Sequence, residues 1–264
     1  MDNRKWRAIR AVAGSGALVA SLALAGGVSA AGTDSDHDGL TNSFEINKSH
    51  TNPNKADSNH NGISDAKENP DHDRLSNLRE QKAHLNPLKA DSDGDGKPDW
   101  KEDNDHDGLN TLWEFKAHDN PLDADSNNNG TLDGREDDDK DGLNNHQEQV
   151  VGDNPEDADT DNDGTSDANE DEDHDGLSNE FEFDNSHTSA TNDDTDEDGV
   201  SDADKDPDED GVSNEQEEQD GTDAEDADSD DDGTPDGEDH DGEDASPSPS
   251  PTASPTGYSF HIIG

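Results

Sequence analysis

Asp34, Asp36, Asp38 and Glu45 stand at the first, third, fifth and twelfth places of "DSDHDGLTNSFE", with Gly39 at the sixth. Side-chain oxygens at those places of a tight loop converge on one centre. The seventh residue adds a backbone carbonyl, the ninth reaches the centre directly or through water, and a glutamate at the twelfth can supply two oxygens. The sixth residue must reverse the chain sharply, which favours glycine for its access to positive φ. Such a donor set suits calcium, which takes about six to eight hard oxygens, better than magnesium, which keeps several of its waters. The chain has no cysteine, so thiolate metals are excluded.

The pattern recurs along the chain. The first series continues with Asn69, Asp71, Asp73 and Glu80, then Asp103, Asp105, Asp107 and Glu114, then Asp137, Asp139, Asp141 and Glu148. It ends with Asp171, Asp173, Asp175 and Glu182, and with Asp206, Asp208, Asp210 and Glu217. A second series interleaves with it: Asp57, Asn59, Asn61 and Glu68; Asp91, Asp93, Asp95 and Glu102; Asp125, Asn127, Asn129 and Glu136; Asp159, Asp161, Asp163 and Glu170. Its last two loops, Asp194, Asp196 and Asp198, and Asp228, Asp230 and Asp232, lack the closing glutamate. In this series an aspartate at the ninth place (Asp65, Asp99, Asp133, Asp167, Asp202 and Asp236) is expected to add a carboxylate to its own loop. Twelve loops in six units of 34 or 35 residues, spanning 34–239, define a tandem repeat in which each unit leans on its neighbours.

The elements that position these residues must be short. A second-series loop ends where the next first-series loop begins, as Glu68 abuts Asn69, so no entering helix fits and paired EF-hands are excluded. After each first-series loop only about eleven residues remain, usually broken by Asn-Pro, which ends any exiting helix after one or two turns. Ser178 to Phe183 is one such stretch. The expected fold is mostly irregular: a calcium-stapled tandem repeat array with short helical turns and little regular secondary structure. Leu40, Leu75, Leu109, Leu143, Leu177 and Val212 fill the seventh place of the first series, and Phe44, Trp113 and Phe181 at the eleventh are expected to pack on the leucines in small clusters. The fourth-place histidines His37, His72, His106 and His174 are expected to face solvent, although zinc or nickel between them and His50, His84, His118 and His187 is chemically available.

Two loops break the pattern. Arg74 replaces glycine in the loop at 69, which sets a non-glycine residue at positive φ and a guanidinium close to the ion. Lys205 replaces the closing glutamate in the loop at 194. Both loops are expected to bind calcium more weakly than those at 34, 103 and 171.

The motif "DxDxDGLxNxxE…NPxxADxDxDGxxD" resembles the thrombospondin type 3 repeats of animal matrix proteins and many bacterial exported proteins, from Asp34 to about Asp239. The resemblance implies an irregular backbone wrapped around rows of calcium ions, used in extracellular structural or adhesive proteins. The animal repeats also carry disulfides; this chain has none, so its order is expected to depend more completely on metal.

Composition agrees. With 73 Asp plus Glu against 17 Lys plus Arg, a formal charge of -56 and 22% hydrophobic residues, the chain cannot bury enough apolar surface to offset the entropy of ordering. Either it stays unfolded or cations hold it together. Without a basic face it is not expected to bind nucleic acid. Residues 1–30 read as a signal peptide, with a basic start, an apolar middle and a small-x-small site at Val28 to Ala30. Export and no membrane span after cleavage are therefore expected. Residues 245–256 form a Pro/Ser/Thr-rich linker, and 257–264 a short tail of unknown role. No nucleophile elbow, phosphate loop or metalloprotease helix is present, so an enzyme is not expected. The function classes that remain are a secreted calcium-stabilised spacer, structural or adhesive, with a cell-surface or matrix protein as partner; an acidic calcium buffer or mineral-binding polyanion; and a dockerin-like scaffold module.

Overall fold

The computed structural model describes residues 32–238; residues 1–30, 245–256 and 257–264, read above as signal peptide, linker and tail, lie outside them. Among the described residues there is no strand, and the backbone is mostly turns and bends. Six short helices recur once per unit: α1 (Asn42–Phe44), α2 (Asn77–Ala83), α3 (Thr111–Glu114), α4 (Asn145–Val151), α5 (Asn179–Phe181) and α6 (Asn214–Asp220). Each starts inside a first-series loop, so the closing glutamate is carried on a helical turn. The residue at the eighth place caps the start: the hydroxyls of Thr41, Ser76 and Ser178 and the side-chain carbonyls of Asn110 and Asn144 accept from backbone N–H groups of the first turn.

Helix ends and loop reversals account for the histidines. His50, His84, His118 and His187 sit just past the helices in the left-handed region, with φ between 52° and 65°. His37, His72, His106 and His174 occupy the same region inside the loops, with φ between 64° and 68°. Histidine tolerates this backbone better than most residues. All eight are exposed.

Units 1 and 5 hold 23 residues between loop starts where the others hold 22. The extra residue is absorbed locally: α1 and α5 run on into single π-helical turns, Glu45–Ser49 and Glu182–Ser186. Each second-series loop through the fifth unit closes in a 3₁₀ turn, as at Asp65–Lys67 and Asp167–Asn169. A nine-residue ladder joins the parts. Within the second-series loops, Asp65 N–H donates to Ala56 O and Asp99 N–H to Ala90 O; across unit boundaries, Asn77 N–H donates to Glu68 O and Asn145 N–H to Glu136 O.

The apolar core is a string of small clusters. The five seventh-place leucines are at most 1% exposed. Leu40 packs with Phe44 and Ala66, Leu75 with Ala83 and Leu85, and Leu177 with Phe181, Ala203 and Ala224. Ala190 and Ala224, both 0% exposed, take the place of the buried spacer prolines Pro87, Pro121 and Pro155. Successive units are clamped by side chains: Gln81 Oε1 accepts from Thr41 N–H at 2.7 Å and its Nε2 donates to Gly39 O. Gln149 repeats both bonds with Asn110 and Gly108.

Candidate metal centres

Each first-series loop folds its closing glutamate inward, whereas the first-place Asp137 and Asp206 stay exposed. Glu45, Glu80, Glu114, Glu148, Glu182 and Glu217 are all 0–1% exposed. Around them stand the third- and fifth-place aspartates: ligand oxygens of Asp71, Asp73 and Glu80 lie within 4.8 Å of one another, as do those of Asp34, Asp36 and Asp38. Burial, followed by the repulsion of these neighbours, pushes Glu45 up to about 7 and Glu80, Glu114 and Glu148 up to about 9. Glu182 and Glu217 rise to about 8 for the same reasons.

Both carboxylate oxygens of Asp36, Asp71, Asp105, Glu80, Glu114, Glu148 and Glu217 are buried without a hydrogen-bond partner. Desolvated carboxylates facing one another are strongly unfavourable unless a counter-charge joins them. Hard oxygen donors in this number fit a divalent cation such as calcium.

The ninth-place aspartates of the second series stand elsewhere than their spacing suggests. Asp65 groups with Asp38 and Glu45, the acids of the preceding first-series loop. Asp99, Asp133, Asp167, Asp202 and Asp236 likewise act on Glu80, Glu114, Glu148, Glu182 and Glu217. Each inner group therefore draws on both loops of its unit. The fifth-place aspartate helps to hold the second loop there: Asp38 Oδ2 accepts from Ala66 N–H at 3.1 Å, and Asp141 Oδ2 from Ala168 N–H at 2.8 Å.

Spacing alone missed two kinds of residue. Asp119 and Asp153 follow the left-handed residues His118 and Gly152 of units 3 and 4, each with a buried, unpaired carboxylate oxygen beside the inner group. Burial raises Asp119 to about 7 and Asp153 to about 6. Units 1 and 5 have Thr51 and Thr188 there, whose hydroxyls donate to Glu45 and Glu182. The other kind is the hydroxyl at the second place of every second-series loop: Ser58, Ser92, Ser126, Thr160, Thr195 and Ser229. Its repetition in all six loops was the available signal.

The outer, second-series groups are more exposed and of three kinds. Asp159, Asp161, Asp163 and Glu170 bring four ligand oxygens within 4.8 Å, and Asp91, Asp93 and Asp95 bring three. In the asparagine-containing loops amide groups meet the closing glutamate: Asn59 and Asn61 Nδ2 donate to Glu68 Oε1 at 2.6 and 2.8 Å, and Asn127 and Asn129 do the same to Glu136. In the loop at 194, Lys205 Nζ lies 2.5 Å from Asp196 Oδ1 and 3.2 Å from Asp198 Oδ1.

Arg74 departs from expectation. Its backbone has φ 84°, as the loop requires, but the exposed guanidinium lies over the Trp100 ring, 4.3 Å from its centre. The charge is thus engaged by an aromatic face, and the loop's own trio Asp71, Asp73 and Glu80 still assembles.

Two segments, residues 34–56 and 206–223, match the model of a family described as the bacterial TSP3 repeat. The first carries the first-series loop, helix and whole spacer of the first unit, and the second the loop, helix and start of the spacer of the sixth. Repeats of this thrombospondin type 3 class are calcium-binding structural modules in general, in keeping with the acidic clusters of this chain. No curated protein and no solved structure matches the chain.

Proposed function

We propose that the chain is an exported, calcium-stabilised repeat protein that serves as an extracellular structural or adhesive spacer. One observation carries the reading: six buried glutamates, one per unit, each facing further carboxylates with oxygens that lack hydrogen-bond partners. In this reading the inner ions are held by the third-, fifth- and twelfth-place acids of the first series with the ninth-place aspartate of the second, and the outer ions by loops such as Asp159 to Glu170. A bound cation supplies the positive charge that allows these carboxylates to be buried together. The signal-like residues 1–30 support export, and no helix among the described residues is long and apolar enough to cross a membrane.

Small-angle scattering in chelator and in about 1 mM calcium, within the usual range for extracellular modules, tests the reading. Calcium should compact and order residues 34–239; superimposable profiles would overturn it. Pull-down from the producing cell's surface then separates an adhesive spacer, which retains a partner in calcium, from a calcium buffer, which retains none.

A further inference from the structure

The second-place hydroxyls of the second-series loops form a repeated bridge between the two candidate centres of a unit. In unit 4, Thr160 lies between the outer ligands Asp159 and Asp161. Its N–H donates to Asp167 Oδ1 at 2.8 Å, its hydroxyl donates to Asp167 Oδ2 at 2.8 Å, and that hydroxyl accepts from Asn154 N–H at 2.8 Å. Asp167, fully buried, belongs with the inner group around Glu148.

The same three bonds recur. Ser58 joins Asn52 N–H to Asp65, and Ser92 joins Asn86 N–H to Asp99. Thr195 joins Ser189 N–H to Asp202, and Ser229 joins Asp223 N–H to Asp236. In unit 3 the bridge to Asp133 runs through the backbone N–H of Ser126, at 2.9 Å.

We infer that these hydroxyl residues are positioning residues that couple the two calcium centres within each unit. The inference rests on the calcium reading above. Fixing Asp167 at the inner centre fixes Thr160, and with it the backbone that presents Asp159 and Asp161 to the outer centre. A carboxylate oxygen has two lone-pair directions, so Asp167 can accept from Thr160 and still face the inner centre. Ligand carboxylates held by such outer hydrogen bonds bind metal more tightly. Linkage then makes the coupling mutual: whatever orders one centre lowers the cost of ordering the other.

The test uses the full chain titrated with calcium chloride and followed by amide NMR, with Leu143 reporting the inner loop of unit 4 and Thr165 the outer loop. Thr160→Val removes the hydroxyl and keeps the shape. It should raise the inner calcium midpoint about tenfold, raise the outer midpoint as well, and leave unit 1 unchanged; Thr160→Ser should restore both. Glu148→Gln, which weakens only the inner centre directly, should raise the outer midpoint about fivefold or more in the parent and have a clearly smaller effect in the Thr160→Val background.

An outer midpoint unmoved by Glu148→Gln, or moved equally in both backgrounds, overturns the coupling while the calcium reading stands. If Thr160→Val also shifts unit 1, the hydroxyl is a general folding contact and the inference fails. If no amide in the parent responds to calcium, the calcium reading and the inference fall together.

Discussion

Lys205→Glu should turn a loop that now closes on its own ammonium into one that takes up an ion. Lys205 Nζ pairs with Asp196 and Asp198 at 2.5 and 3.2 Å, so one positive charge from within the chain already bridges the third- and fifth-place carboxylates. The hydrogen bond between Lys205 and Asp196 lowers the aspartate below its ordinary value and raises the lysine above its own. Substitution removes one positive charge and adds one negative charge at the twelfth place. The acid set then matches Asp159, Asp161, Asp163 and Glu170, whose ligand oxygens already lie within 4.8 Å of one another. The ninth-place Asp202 is 1% exposed and accepts from both N–H and hydroxyl of Thr195, so the scaffold is in place. The new site should resemble those of other extracellular modules, with Kd of about 0.1–1 mM. Isothermal calorimetry should count one more bound ion per chain than in the parent, and the thermal midpoint of the variant should gain more from 10 mM calcium than the parent's does. In chelator the variant should be the less stable of the two, because four carboxylates then face one another without a cation. An unchanged ion count together with an unchanged calcium-dependent thermal shift would refute the reasoning.

Three further outcomes are expected. The raised values of the six buried glutamates, about 7 to 9, mean that the metal-free fold binds protons more tightly than the unfolded chain, so its stability is present below the ordinary glutamate range and is lost as pH rises through the raised values. In chelator the chain should therefore be more compact at pH 4.5 than at pH 8, whereas calcium affinity should fall on acidification; equal scattering radii at both pH values in chelator would contradict this. Leu143→Ala, at a fully buried position, should cost about 2–5 kcal/mol in unit 4, seen as hydrogen-exchange protection lost there before unit 1; loss spread evenly over all units would point to one global core. Arg74→Gly relieves a positive φ worth about 1–2 kcal/mol but forfeits the stack on Trp100, worth about 0.5–1 kcal/mol. Stability should rise by about 1 kcal/mol or less with the ion count unchanged, and a gained ion would show that Arg74 had been blocking the site.

The sequence by itself determined the local chemistry. Donor oxygens at alternating places, a residue suited to positive φ at the sixth, a capping side chain at the eighth and a glutamate at the twelfth all lie within one twelve-residue stretch, so spacing specifies them. The irregular fold was legible for the same reason: about eleven residues broken by Asn-Pro leave room for two helical turns, and α2, α4 and α6 have seven residues each. Even the pairs Asp36 with Asp38 and Asp71 with Asp73 follow from spacing.

Tertiary structure alone decided what each loop shares with its neighbour. Asp65 lies 20 places after Glu45, and nothing local says that the chain returns after the spacer to bring the two together. Asp119 and Asp153 gain their burial from that same return. Arg74 turns onto Trp100, 26 places later, because the half-buried indole offers its charge a face that the loop cannot. Spacing fixes which atoms a loop can offer to an ion; the return of the chain, held by bonds such as Asp141 to Ala168, decides which of them face the same one.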